Sequence, residues 1–600
     1  MTTTPATSPP SFQVRSWDLS DLLEAPTESV VSRELDRVAR GVDALARERE
    51  TLVPDMDPRA FLSIMRRYER LCEEMSVVSG YANLLFSQDT QSTQTLSLLN
   101  RVQQTLADLE NRILFLEIWW KSLNDQEAER LLPPAESEHD LRFFLRDLRR
   151  TRPYTLDETS EQIINIKDTN GMSAVLTLYA MLTNRLTFPI ELDGTTVELT
   201  DGQVRSLFFS PDPAVRERAY QVAHAVYGRE SKLLAQIYAN RVRDWYSENV
   251  ALRGFASPIS VRNVGNDIPD AATETLLDTI RENAGLFQEY FRLKAGWLGY
   301  DRVCRFDVYA PLASSDRQVA FPEAAATVLE TFRRFDPRLA ELAEQVLIDN
   351  HLDSEIRPGK RSGAFCSTIL PRLTPWVLVN YTGKVRDVAT LAHELGHAVH
   401  SLLAADHSIL TQHPSLPLAE TASVFAEMLM TDRLLSEEQD PMARRELLAA
   451  AVDDVYATIL RQAYFVRFEL AAHDAILENC SADDLETLYL ENLREQFGQE
   501  MEIDPSFRYE WISIPHIFQT PFYCYAYSFG QLLVLALYRR FQEEGDAFKP
   551  GYIRLLSQGG AERPEIMLRE MGIEITDRAF WQGGFEVVRG MIEELKSLDV

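Results

Sequence analysis

Apolar residues recur at three- and four-residue spacing through most of the chain, the pattern of helices that each bury one face. From Thr27 to about Arg185 such stretches follow one another. The longest runs from Ser92 to Lys121, with Leu96, Leu99, Val102, Leu106 and Leu109 on one stripe. Gly80, Pro133-Pro134 and Gly171 are the expected breaks. An all-helical N-terminal lobe over residues 13–205 is predicted. It follows a polar, proline-rich tail, residues 1–12, whose composition cannot support packing and is expected to be disordered.

The period shortens to alternation in two places. Thr187 to Leu192 and Thr195 to Thr200 flank Asp193-Gly194, a dipeptide that tolerates the positive φ of a tight turn, so a small β-hairpin is predicted near 187–200. Ser210-Pro211-Asp212-Pro213 then starts a helical run to about Val250, which puts the lobe boundary near 200–210. Gly254 to Pro269 is rich in breakers and predicts a loop, either a plain connection or a segment beside the active site. Helical patterns resume to about Trp297 and from Pro322 to Leu352.

Between Arg361 and Gly383, Val377-Leu378-Val379 and Tyr381 stand among turn formers and predict strands. The strand around Trp376 to Tyr381 is the expected edge for an extended peptide, with an internal structural strand as the alternative. Helices dominate again from Asp387, with breaks near Pro414, Asp440, Pro505, Pro521, Gly559-Gly560 and Gly583-Gly584. The fold class is therefore mainly α, with a small β element before the helix at 387 and the short hairpin.

Composition narrows the function. Six hundred residues exceed what one core usually serves, so two or more lobes are expected. A net charge of −30 disfavours nucleic acid and anionic membrane surfaces, both of which need basic patches. Cys72, Cys304, Cys366, Cys480 and Cys524 are odd in number and unpaired in spacing, which argues against a disulfide framework or a thiolate zinc site. No basic-then-apolar leader and no run of eighteen apolar residues occurs, so the expected location is cytoplasmic.

The chemistry concentrates in Thr390-Leu-Ala-His393-Glu394-Leu-Gly-His397-Ala-Val-His400. Two histidines four apart on a helix share a face and can reach one metal ion, and imidazole suits zinc. Glu394, about 100° round the helix from His393, can stand beside a zinc-bound water without being a ligand and act as the base. A catalytic zinc takes a third protein ligand and keeps one position open. His400 lies about 10 Å along the axis from His393, too far for a straight helix to bring all three imidazoles to one ion, and is expected to pack or support. The extended motif with a third histidine needs glycine and histidine where this chain has His400 and Leu403. Glu420 and Glu427, on one face of a following helix, are the remaining candidates. Glu420, near the start of that helix, is chosen as the ligand, and Glu427 is assigned to orienting a histidine through its free ring nitrogen.

These residues resemble the thimet oligopeptidase and oligoendopeptidase F group of zinc metallopeptidases, and most closely the oligoendopeptidase F branch. The resemblance rests on GKRSGAFC (Gly359 to Cys366), on VLVNYTG through DVATLAHELGHAVH (Val377 to His400) and on LAETASVFAE (Leu418 to Glu427). Less specific similarity continues through HIFQTPFYCYAYSFG (His516 to Gly530), LLSQGG (Leu555 to Gly560) and FWQGGFEV (Phe580 to Val587). It implies one zinc ion held by His393, His397 and Glu420, with Glu394 as general base. It also implies a two-lobed helical clamshell with a deep central channel admitting short unstructured peptides, the catalytic domain spanning 206–600. A histidine and a tyrosine donor for the oxyanion are implied within His516 to Gly530. His516 and Tyr523 are favoured, while the register among Tyr523, Tyr525 and Tyr527 stays open. The expected function is a zinc oligoendopeptidase that cleaves internal bonds by Glu-assisted attack of a zinc-bound water. The rivals are a zinc carboxypeptidase with a similar channel and a noncatalytic peptide-binding protein.

Overall fold

The computed structural model describes residues 12–24, 28–192, 194–312 and 318–598. Of the expected disordered tail, all but Phe12 lies outside the described residues, as does Asp193 of the hairpin turn. The chain is mainly helical, with a two-stranded hairpin, a two-stranded parallel pair and a three-stranded sheet. Two hydrophobic cores organise it. The smaller takes buried residues from Trp17 to Leu145 together with Ile369, Leu370, Trp376 and Leu378, and the larger takes residues between Tyr179 and Leu595, including Phe188 and Ile190 of the hairpin.

The three-stranded sheet joins the two cores. Trp376–Leu378 is its middle strand, parallel to Leu352–Asp353 on one side and antiparallel to Phe365–Ser367 on the other. Successive side chains of a strand point to opposite faces. Accordingly Trp376 and Leu378 pack in the smaller core, Val377 and Val379 in the larger. This corrects the expected peptide-binding edge in favour of an internal strand: Trp376–Leu378 is hydrogen-bonded on both sides, and Leu352–Asp353 and Phe365–Ser367 are the two edges of the sheet.

The hairpin pairs Phe188–Leu192 with Thr195–Leu199, as the turn dipeptide predicts. Asp212 caps the helix Pro213–Trp245 with Pro213 at its first turn. Other expected boundaries move. The run from Ser92 divides at Leu114 into Thr93–Ile113 and Phe115–Ser122, although Leu114 itself keeps helical angles. Leu96, assigned to the buried stripe, is 42% exposed. Gly80 and Gly583-Gly584 break nothing. They lie inside Pro58–Gln88 and Arg578–Ser597, where a β-carbon would meet Ile369 at 2.4 Å or, at Gly584, Leu532 at 2.6 Å. Close approach of neighbouring segments, not a turn, demands glycine there. The segment Gly254 to Pro269 contains a short helix, Ser260–Asn266, fixed by Ser260 and Asn263 bonding to Asp270.

A further contact ties N-terminal helix His139–Arg150 to the segment after the motif helix. Asp140 accepts from the backbone N–H of Ser408 at 2.6 Å and pairs with His407 Nδ1 at 3.0 Å, while His407 Nε2 reaches the carbonyl of Ser557 at 2.9 Å. Burial acts to raise the Asp140 pKa, but the bonds from His407 and Ser408 prevail and hold it down to about 2. His407 is raised, chiefly by Asp140. The depressed carboxyl stabilises the fold above its unfolded pKa of about 3.9, and that contribution is lost as pH falls toward 2. The raised imidazole contributes below about pH 6.5, and its share is lost as pH rises through the folded value. Asp140→Asn is thus expected to reduce stability by roughly 1–2 kcal/mol at pH 5 and by less at pH 9. Urea midpoints at the two pH values measure this; an equal loss at both would refute the charge pairing.

Candidate active site

The motif helix Val385–Leu403 packs against the helix Thr421–Glu437. Glu420 sits at the joint where the short helix Leu416–Ala419 meets Thr421. From there its Oε2 lies 3.3 Å from Nε2 of His393 and 3.3 Å from Nε2 of His397. The three donor atoms fall within 4.8 Å of one another. Bonds of about 2.0–2.2 Å to a tetrahedral zinc place neighbouring donors roughly 3.3–3.6 Å apart, so the two nitrogen–oxygen separations already match. Two imidazoles and one carboxylate are also a donor set that zinc accepts. These residues fit the ion.

The electrostatics agree. Burial disfavours the charged His393 ring, but Glu420 and Glu427 outweigh it and push its pKa up to about 10. Burial would raise Glu420, yet bonds from His393 and His397 hold it far below the usual carboxylate range. The cluster therefore favours a positive charge at its centre. Glu427 Oε2 is 3.1 Å from His393 Nδ1, leaving Nε2 free to face Glu420 and fixing the ring.

Glu394 is 6% exposed, on the same helix but outside the donor group, and its Oε2 is buried without a hydrogen-bond partner. Burial raises its pKa, partly countered by the two histidines. One edge strand of the three-stranded sheet lies close by: Cys366, in Phe365–Ser367, is pushed well up by burial and then by the Glu394 charge. His400 is buried and neutral, its pKa lowered to about 3 by burial first, and it bonds the backbone of Ala419, the residue before Glu420. It positions the joint and is not among the donors.

His516, Tyr523 and Tyr527 form one aromatic group. His516 stacks on Tyr523 at 5.9 Å between centroids, and Tyr527 lies 6.1 Å from His516 and 5.2 Å from Tyr523. Tyr525 points away into the core, where its hydroxyl accepts from Asn266 at 2.8 Å. The Tyr527 hydroxyl is raised by burial first, then by the bond to Tyr523, with Glu420 among the nearby charges. It stays protonated and can donate.

Ser423 escaped the sequence reading. Its buried hydroxyl donates to Glu420 Oε2 at 2.7 Å, and its spacing of one helical turn from Glu420 was the available signal. Another acidic cluster among the described residues, Asp168, Asp244 and Glu248, lacks imidazole and is engaged by Arg253 at 2.8 Å and Arg241 at 3.8 Å. It is an ion-pair network.

Gly396, between the two histidines, sets the helix spacing: a β-carbon there would lie 2.7 Å from Ser423 Cα and 2.8 Å from the Ala422 carbonyl. Gly396→Ala is expected to push the helices apart, destabilise the fold by about 1–3 kcal/mol and weaken metal binding. Denaturant midpoints and zinc titration measure both. Unchanged values would show that the helices need not be this close.

The profile of peptidase family M3 matches residues 206–587, and that of the oligopeptidase F N-terminal family matches 119–188. The chain belongs to peptidase family M3. As an M3 member it is an enzyme, a metallo-oligopeptidase. It is 24% identical to oligopeptidase PepF of Bacillus subtilis over 97% of this chain and 87% of the relative. Identity with the group B oligopeptidase PepB of Streptococcus agalactiae is 26%, over 90% and 88% of the two chains. The crystal structure of oligoendopeptidase-F from Enterococcus faecium shares the fold, with a TM-score of 0.72 at 22% identity, covering 95% of this chain and 99% of that one. No helix among the described residues is long and apolar enough to cross a membrane.

Proposed function

We propose that this M3 peptidase is a zinc-dependent oligoendopeptidase that hydrolyses internal bonds of short unstructured peptides, with a helical lobe over 13–205 and a catalytic domain over 206–600. The observation that carries it is the convergence of His393, His397 and Glu420 within 4.8 Å, beside the unpartnered carboxylate oxygen of Glu394. Zinc bound there supplies a Lewis acid that polarises the scissile carbonyl and acidifies the attacking water. Glu394 takes the proton of that water and returns it to the leaving amine nitrogen. His516 and Tyr523, with Tyr527 beside them, donate hydrogen bonds to the oxyanion of the tetrahedral intermediate. The substrate extends along the free side of Phe365–Ser367, where backbone pairing holds it next to Glu394. A channel between the lobes admits short chains and excludes folded proteins. All five cysteines are free, in keeping with a reducing cytoplasmic setting.

The test is mass spectrometry of a ten-residue peptide blocked at both ends, with and without chelator. Chelator-sensitive internal cleavage supports the endopeptidase. Release of single residues from an unblocked C-terminus alone would favour a carboxypeptidase, and no cleavage under any condition would favour a binding protein.

A further inference from the structure

A cavity of about 320 Å³ is lined by Arg205, Arg386 and Arg461 together with Asp201, Asp454 and Glu510, and it is linked to the candidate site through residues on either side of it. On one side Arg386 belongs to the motif helix, and its partner Asp454 is close enough to Glu427 for the two carboxylates to repel. On the other side His516 is depressed by burial and then by the charge of Arg461.

The positive charges around this cavity are not all matched. Arg205 pairs with Asp201 at 2.6 Å and Arg386 with Asp454 at 3.2 Å. Arg461, however, shares Glu510 with Arg305. Arg305 holds that carboxylate at 2.8 Å, whereas Arg461 stands at 3.4 Å, and the second oxygen of Glu510 takes Tyr489 at 3.0 Å. Two guanidinium groups on one carboxylate leave a positive charge over. Arg305 is 1% exposed, and its charge also rests over the rings of Phe497 and Phe507 at 5.6 and 5.2 Å. Arg461 is the member that reaches the cavity, at 24% exposure, with a contact to the Tyr309 hydroxyl at 3.3 Å and its guanidinium over the Phe465 ring at 5.0 Å; both arginines keep buried nitrogens without a partner, Nε of Arg461 and Nε and Nη1 of Arg305. A cationic surplus in a chain of 61 basic and 91 acidic residues runs against the overall field, so it marks a local demand for an anion.

We propose that Arg461 binds a carboxylate of the peptide substrate in this cavity, through the planar guanidinium fork that suits such a group. The assignment rests on the peptidase activity proposed above. Two sources share the chemistry: the C-terminal carboxylate, and the side chain of Asp or Glu. Peptides of one sequence, N-acetylated, separate them when compared as free acid against amide, and as amides carrying Glu against Gln near the C-terminus.

For each pair the ratio of kcat/KM is measured in wild type, Arg461→Gln and Arg461→Lys. A ratio within one preparation does not depend on the fraction of folded enzyme. The expected wild-type preference is about tenfold for one carboxylate source, expressed in KM, falling toward one in Arg461→Gln and partly restored in Arg461→Lys. A free-acid preference identifies the terminus, and a Glu preference identifies the side chain. Wild-type ratios near one for both pairs, or a preference that survives Arg461→Gln, would overturn the proposal. If the zinc-loaded wild type cleaves no peptide, the peptidase assignment itself fails. The dissociation constants of the same pairs then decide the carboxylate site by the same ratios.

Discussion

Glu394→Gln should keep its zinc and lose turnover by about 10²–10⁴-fold, the usual contribution of a positioned general base. The amide is nearly isosteric with the carboxylate, so the motif helix and the three donors should be undisturbed. Glu394 is not one of the three converging donors, and its buried Oε2 engages no protein group. The substitution removes only the ability to accept a proton from water. Zinc content by elemental analysis and hydrolysis of the blocked peptide, measured on the same preparation, separate the two effects. Normal zinc with turnover within tenfold of wild type would reject Glu394 as the base. Loss of zinc together with activity would instead make it a metal-holding residue.

Glu420→Ala is expected to abolish zinc retention and activity together. Both histidine nitrogens face the same Glu420 oxygen, so the variant removes the third ligand and the negative charge that balances the ion. Glu427 touches only the outer nitrogen of His393. Glu427→Gln should therefore weaken zinc by about 10–100-fold, as removal of a ligand-orienting partner typically does, and Glu420→Ala by more. Zinc competition titrations rank the two. A larger loss in Glu427→Gln would exchange their roles.

The correspondence between sequence and structure was uneven for physical reasons. Asp212 and Pro213 start their helix where turn chemistry puts them, because capping is decided by neighbours in sequence. Gly80 and Gly584 were misread as breakers because a helical glycine needed for close packing looks the same in sequence as one needed for a turn. The strand Trp376–Leu378 was recognisable, but whether it lay inside the sheet or at its edge was not decided, since only Leu352–Asp353 and Phe365–Ser367 arriving on either side make it central.

The sequence alone determined the helical class, the hairpin and the paired histidines with Glu394 between them, the residue proposed as the base. All of these depend on periodicity or on spacing within a single helix, which short-range geometry enforces. Helix position pointed to Glu420 over Glu427 as the proposed third ligand, and the family resemblance agreed with that choice. The tertiary structure decided what requires separate segments to meet: that Glu420 reaches both histidines while Glu427 reaches only one, that Tyr525 turns inward to Asn266 while Tyr523 and Tyr527 flank His516, and that Arg461 and Arg305 compete for one carboxylate. Such meetings are set by how separate helices pack around the larger core, and no local pattern in the chain encodes them.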